Sequence, residues 1–158
     1  MKKGTKMINE KDLYLLNSET PENERKYRVG STYTKDGKKM ARMLCYVDAR
    51  YVQDKLDEVV GPSNWTSEFL EIKGNLFCRI AIKFQREEGK YDVVAKMDCG
   101  VESNVEKQKG EASDAFKRAA VQFGIGRDLY NAKTYTVEMS QYNGRDFVPK
   151  NWKPQEGE

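Results

Sequence analysis

Two adjacent cations, Lys117 and Arg118, sit inside the stretch KGEASDAFKRAAVQFGIGRDLY. From Lys109 to Phe123 that stretch has helical period, with Ala112, Phe116, Ala119, Ala120 and Phe123 recurring on one side and Gly124 as a stop. A helix with an Ala/Phe side lies closely on a sheet, and two long cations fixed on its flank can hold successive phosphates in register. Arg127 follows the Gly124/Gly126 break, where backbone N–H groups could also meet a phosphate. Arg50 falls in the first turn of a second helical stretch, DARYVQDKLDEVV. A helix dipole favours anions there, so Arg50 is expected to face an acid or a ligand anion. Tyr51, Tyr130 and Phe123 neighbour these cations, and such a mixture holds single strands by stacking plus charge. Residue type alone leaves a second reading open, in which the cations are a solvated helix flank and the aromatics are core.

Other chemistries are excluded or weakened by what is missing. There is no histidine, which removes Ser-His and Cys-His nucleophilic catalysis and imidazole metal sites. Cys45, Cys78 and Cys99 are far apart, form no Cys-x-x-Cys, and read as reduced, buried thiols rather than metal ligands. No GxxxxGK[ST] loop is present, and the Gly-x-Gly of FGIGRDLY follows a helix instead of opening one, so no nucleotide cofactor is expected. Glu71-Ile72-Lys73 with Asp57 upstream has the composition of a metal-dependent nuclease. Among 25 acidic residues one such triplet arises by chance, and Lys73 abuts a turn. No catalytic residue and no metal ligand is assigned.

The charge is segregated along the chain. The 158 residues carry 28 Lys+Arg against 25 Asp+Glu. Residues 25–55 hold nine cations and three acids, residues 56–104 six and nine, and residues 105–133 six and four. A phosphate backbone responds to a basic face more than to the total. The N-terminus is basic but lacks an apolar signal core, and no apolar run is long enough for a bilayer, so a cytoplasmic protein without membrane contact is expected.

The elements that must position these side chains can be read in order. Residues 1–24 read as a short helix (Asn9 to Asn17) and a polar link. YRVGSTY and MARMLCYV read as two strands about an Asp-Gly turn. Asp48 offers an N-cap for the helix carrying Val52, Leu56, Val59 and Val60, which Gly61-Pro62 stops. Trp65 to Ile72, a Gly74-Asn75 turn, Leu76 to Gln85, and Tyr91 to Val101 form a three-stranded antiparallel meander. In its second strand Leu76, Cys78, Ile80, Ile82 and Phe84 share one face; in its third, Val93, Ala95, Met97 and Cys99 oppose Asp92, Val94, Lys96 and Asp98. The fold class is α+β, a β-β-β-α core preceded by a hairpin and a short helix. The domain proper spans 25–140, with a strand at Tyr135 to Met139, and residues 141–158 are expected to form a polar, mobile tail.

CYVDARYVQDKLDEVVGPSNW and KGEASDAFKRAAVQFGIGRDLY resemble the two signature blocks of the Rad-fifty-two family of single-strand annealing proteins, in the branch found in bacteriophages. The resemblance runs from about Tyr27 to Tyr130. It implies a β-β-β-α core, assembly into rings or partial rings, and single-stranded DNA in a basic groove around the oligomer. It also implies annealing without ATP. The family's basic helix pair falls on Lys117 and Arg118. Its first-helix groove arginine falls on Tyr51, with Arg50 one place earlier. A further helix cation of the eukaryotic members is Val121 here, with Arg28 or Arg127 as candidates to compensate. Lys109 completes the expected DNA-binding set of Lys117, Arg118, Arg50, Tyr51, Arg127, Arg28 and Lys109.

The function expected is therefore ATP-independent binding and annealing of single-stranded DNA in recombination and repair, by a homo-oligomer. A single-strand-binding protein or a recombinase is a further expected partner. The alternatives are a mediator that loads another recombinase, using the acidic stretch from Leu56 to Asn104, and more remotely the nuclease.

Overall fold

Asp36 and Gly37 take left-handed backbone angles, φ 51° and 75°, as a two-residue hairpin turn requires. They join β1 (Lys26–Lys35) to β2 (Lys38–Tyr46) in an antiparallel ladder running from Lys35 opposite Lys38 to Lys26 opposite Tyr46, with a bulge at Gly30. The computed structural model describes residues 7–101 and 107–155, with backbone alone for 107–109.

Helix α1 (Ala49–Val60) buries Val52, Leu56, Val59 and Val60, the stripe its sequence spacing predicts. Asp48 has the extended backbone of an N-cap but makes no capping bond, because its carboxylate takes the Lys26 ammonium instead. At the other end Gly61 N–H donates to Asp57 O at 3.1 Å.

The meander follows as β3 (Trp65–Ile72), β4 (Asn75–Glu87) and β5 (Lys90–Cys99), each antiparallel to the next. Its first turn is Lys73-Gly74, one residue earlier than expected, since Asn75 already pairs with Ile72. Cys78, Ile80, Ile82 and Phe84 of β4 are all buried, as their alternation predicts. Burial also pushes the Cys78 thiol up to about 11, and all three cysteines are free. On β5 the register places Asp98, Lys96, Val94 and Asp92 opposite those four residues. The mostly polar set of β5 thus shares the core face, while Val93 and Met97 face outward and are exposed.

Helix α2 (Lys107–Val121) explains that inversion. It buries Ala115, Phe116, Ala119 and Ala120 against the meander. At β5 it meets polar partners: Lys96 Nζ donates to Gln122 O at 3.0 Å, and the Arg118 guanidinium lies 3.9 Å from the Asp98 carboxylate. The helix stops at Val121, two residues short of Phe123, and a turn closes it as Gly124 N–H donates to Val121 O and Ile125 N–H to Ala120 O.

Residues 10–16, expected as an α-helix, form a tighter 3-10 helix, Glu10–Leu16. Ile8 just before it and Leu16 at its end enter the core: both are buried, and Gln85 N–H donates to Ile8 O at 2.7 Å. Thr20 then donates from N–H (2.8 Å) and Oγ1 (2.7 Å) to the Asp128 carboxylate, which also holds Arg25 at 3.3 Å. Thr20 is itself buried, so losing this acceptor strands its donors. Asp128→Ala is expected to cost about 2–3 kcal/mol, read as a lower urea midpoint at unchanged denaturant slope.

After a short 3-10 turn (Arg127–Asn131), β6 (Tyr135–Glu138) pairs with β2 and completes the sheet β1-β2-β6. A small hairpin, β7 (Ser140–Tyr142) and β8 (Arg145–Phe147), comes next. In the stretch expected to be a mobile tail, Trp152 sets its ring edge-on to Tyr27 (5.5 Å) and Tyr135 (6.0 Å). Among the described residues no helix is long and apolar enough to cross a membrane.

Candidate nucleic-acid interface

A groove of about 430 Å³ separates the β1–β2 hairpin from α2. Arg28 and Tyr46 reach it from the hairpin, Asp114, Lys117 and Arg118 from the helix, and Tyr130 and Lys133 from the chain that follows. Hairpin register explains the first pair: Arg28 lies opposite Leu44 and Lys26 opposite Tyr46, so Arg28 and Tyr46 share one sheet face.

Charge converges on the Tyr46 ring. The Arg28 guanidinium lies 5.7 Å from its centroid and the Lys117 ammonium 5.5 Å, each within cation–π range. Neither cation has an ion-pair partner among the described residues. Burial holds the Lys117 ammonium below its ordinary pKa; Asp114 pulls the other way, and the nearby Arg28 charge lowers it further. Two like charges held over one ring, one of them partly desolvated, are stabilised by an incoming anion. Arg118 adds a third charge at the seam with β5, where it reaches Asp98 while its buried Nε has no hydrogen-bond partner.

The structure therefore brings together Lys117, Arg118 and Arg28. It places the other expected residues elsewhere. Arg50 is exposed on the first turn of α1, does not line the groove, and forms no ion pair among the described residues. Tyr51 packs against the core, where burial raises its pKa and its hydroxyl meets Thr20. Arg127 is drawn back to α2, its guanidinium donating to Val121 O at 2.9 Å and Gln122 O at 2.9 Å, where a cation suits the helix C-terminus. Phe123 packs on the core edge beneath Lys96. The side chain of Lys109 lies outside the described residues. Tyr130 is exposed at the rim.

Tyr46 and Lys133 were not singled out by residue type. The signal for Tyr46 was present, because the Asp36-Gly37 turn fixes the ladder that sets it beside Arg28. As for the nuclease set, the Asp57 carboxylate accepts the Trp65 indole N–H at 2.7 Å. No three Cys, Asp or Glu side chains gather to hold a metal ion among the described residues.

Residues 13–147 match the Rad52/22 family of double-strand break repair proteins. Two similar proteins carry the name single-stranded DNA-binding protein DdrA. That of Deinococcus deserti is 41% identical over 102 residues, 62% of this chain and 46% of the relative. That of Deinococcus radiodurans is 41% identical over 95 residues, 58% of this chain and 42% of the relative. The match spans less than half the length of either relative. A match over residues 13–147, taking in the hairpin, the meander, α2 and the groove between them, establishes that the chain belongs to the Rad52/22 family.

Proposed function

We propose that this chain binds single-stranded DNA along the groove between the β1–β2 hairpin and α2, and anneals complementary strands without a nucleotide cofactor. The observation that carries the reading is the pair of cations, Arg28 and Lys117, that both lie over the Tyr46 ring without an ion-pair partner among the described residues. The single-stranded DNA binding named for the two relatives and the repair role of the family support it. No bond is made or broken: phosphates are gripped, bases stay free to pair, and pairing releases stacking energy. Repetition of the groove around a ring or partial ring would supply many weak, sequence-blind contacts. The outward face of the meander supports such assembly, since Tyr91, Val93 and Met97 are 50%, 56% and 37% exposed there. The single-stranded DNA-binding relatives support a cytoplasmic location for this activity.

The test is a fluorescence binding and annealing assay with purified protein, labelled complementary oligonucleotides, EDTA and no ATP. Binding that weakens steeply with salt, and annealing faster than the spontaneous rate, are expected. No binding at low salt defeats the reading. Binding without annealing replaces it with that of a mediator.

The depressed Lys117 gives a pH signature. A phosphate favours the charged ammonium, so binding raises a pKa that the free protein holds below 10.5. Affinity is therefore expected to fall as pH rises through that lowered value, before ordinary lysines titrate. Lys117→Arg should flatten the profile below the pH at which ordinary lysines titrate, because arginine stays protonated throughout. An unchanged profile would remove Lys117 from contact with DNA.

A further inference from the structure

The two faces of the sheet β1-β2-β6 differ in kind. On one, Ala41 and Met43 are buried, and Tyr27 and Tyr135 meet Trp152. The other is open. The ladder sets Lys35 opposite Lys38, Tyr33 opposite Met40, Ser31 opposite Arg42 and Arg28 opposite Leu44, so Lys35, Arg42 and Arg28 all project from this open face. Among the described residues ion pairs occupy only its ends, Lys38 with Glu138 at 3.7 Å and Lys26 with Asp48. Lys35, Arg42 and Arg28 pair with no acid among the described residues. The Arg42 guanidinium stands 4.6 Å from the Tyr33 ring, as Arg28 does over Tyr46 at 5.7 Å.

We propose that this open face is a phosphate track continuous with the groove, on which a strand too long for the groove rests its backbone. The proposal rests on the reading of the groove as a single-stranded DNA site. Every second residue along a strand advances about 6.8 Å; Arg28 and Arg42 occupy neighbouring rows and Lys35 lies two rows beyond Arg42, spacings of one and two steps that the phosphates of an extended single strand can follow. Arg28 belongs to both surfaces, so the path is unbroken from Lys117 through Arg28 to Arg42 and Lys35. The tyrosine rings hold the guanidinium planes in place and offer π-faces for bases. An acidic protein segment would meet the charges but make no use of the half-buried Tyr33 and Tyr46 rings beside them, which favours a polynucleotide.

The test is the double variant Lys35→Gln/Arg42→Gln in the full chain, with oligothymidines of about 6 and about 30 nucleotides, the shorter near the low end of single-module footprints. Both positions are exposed, and an unchanged thermal melt shows that the fold is intact. The 6-mer should bind within twofold of wild type. The 30-mer should bind roughly tenfold more weakly at ~0.1 M salt, with a log–log salt slope shallower by about 1.4, two contacts at ~0.7 each. If neither length is affected, or both equally, the track is refuted. If polyglutamate displaces the 30-mer as well as unlabelled 30-mer does, the face serves acidic protein segments and the proposal falls. Lys117→Gln/Arg118→Gln, run in parallel, tests the groove: if that variant binds both lengths normally, the parent reading has failed.

Discussion

Replacing Lys117 by glutamate and Arg118 by glutamine is expected to lower single-stranded DNA affinity at least a hundredfold at ~0.1 M salt, about 2.7 kcal/mol. Annealing should fall to the uncatalysed rate. Each charge-assisted phosphate contact contributes about 1.5–3 kcal/mol, and a carboxylate at 117 would stand beside Asp114. The two substitutions differ for a reason. A glutamate at 118 would face Asp98, which Arg118 approaches at 3.9 Å, and the repulsion would loosen α2 from β5. Glutamine removes the charge without that confusion. Fluorescence anisotropy against a salt series reads the loss, and far-UV circular dichroism shows whether the fold survives. Wild-type affinity in a folded variant would move the DNA site away from α2.

The second large effect concerns stability. Gly124→Ala is expected to cost about 2–5 kcal/mol, from about 1–2 for left-handed backbone strain and about 1–3 for overpacking. Gly124 sits at φ 106°, and a Cβ there would lie 2.5 Å from Asn17 Cβ and 2.7 Å from Asn17 Cα. A side-chain tip could swing aside, but the Asn17 backbone cannot. The strand of chain carrying Leu16 and Thr20 would have to lift, stripping their contacts. Small domains hold about 5–15 kcal/mol in total, so the variant should melt far below wild type. Gly126→Ala is the control: its φ is 74° but the nearest atom to a new Cβ is 3.7 Å away. Only strain is then added. Equal losses at the two positions, by urea denaturation, would mean that Asn17 does not press on Gly124.

What the sequence announced and what it withheld divide along physical lines. The Asp36-Gly37 turn, the alternation of Cys78 to Phe84 and the Ala/Phe side of α2 are local patterns, and each appears in the fold as read. The outward turn of Val93 and Met97 is not local. Their alternation suits an inward face, and only pairing with β4, together with the polar contacts of Lys96 and Asp98 to α2, sets the opposite phase. Arg127 and Tyr51 mark the same limit at the site. Beside a Gly-x-Gly break or an N-terminal helix turn, each has the type of a DNA contact. The folded chain gives Arg127 two helix-end carbonyls and Tyr51 the core. Lys117 and Arg28 meet at Tyr46 only once hairpin and helix are packed side by side, 71 positions separating Tyr46 from Lys117.

The Thr20–Asp128 bond spans 108 positions, and that separation bears on how the chain is made. Synthesis proceeds from the N-terminus at about 5–20 residues per second. The Thr20 anchor must therefore wait until Asp128 has left the ribosome, whereas Ile8 can meet Gln85 of β4 earlier. The hairpin and meander, whose contacts are nearer in sequence, can form meanwhile. The link around Thr20 is thus among the last parts of this region to settle, and during that interval a nascent chain is most open to capture by chaperones or by its own neighbours.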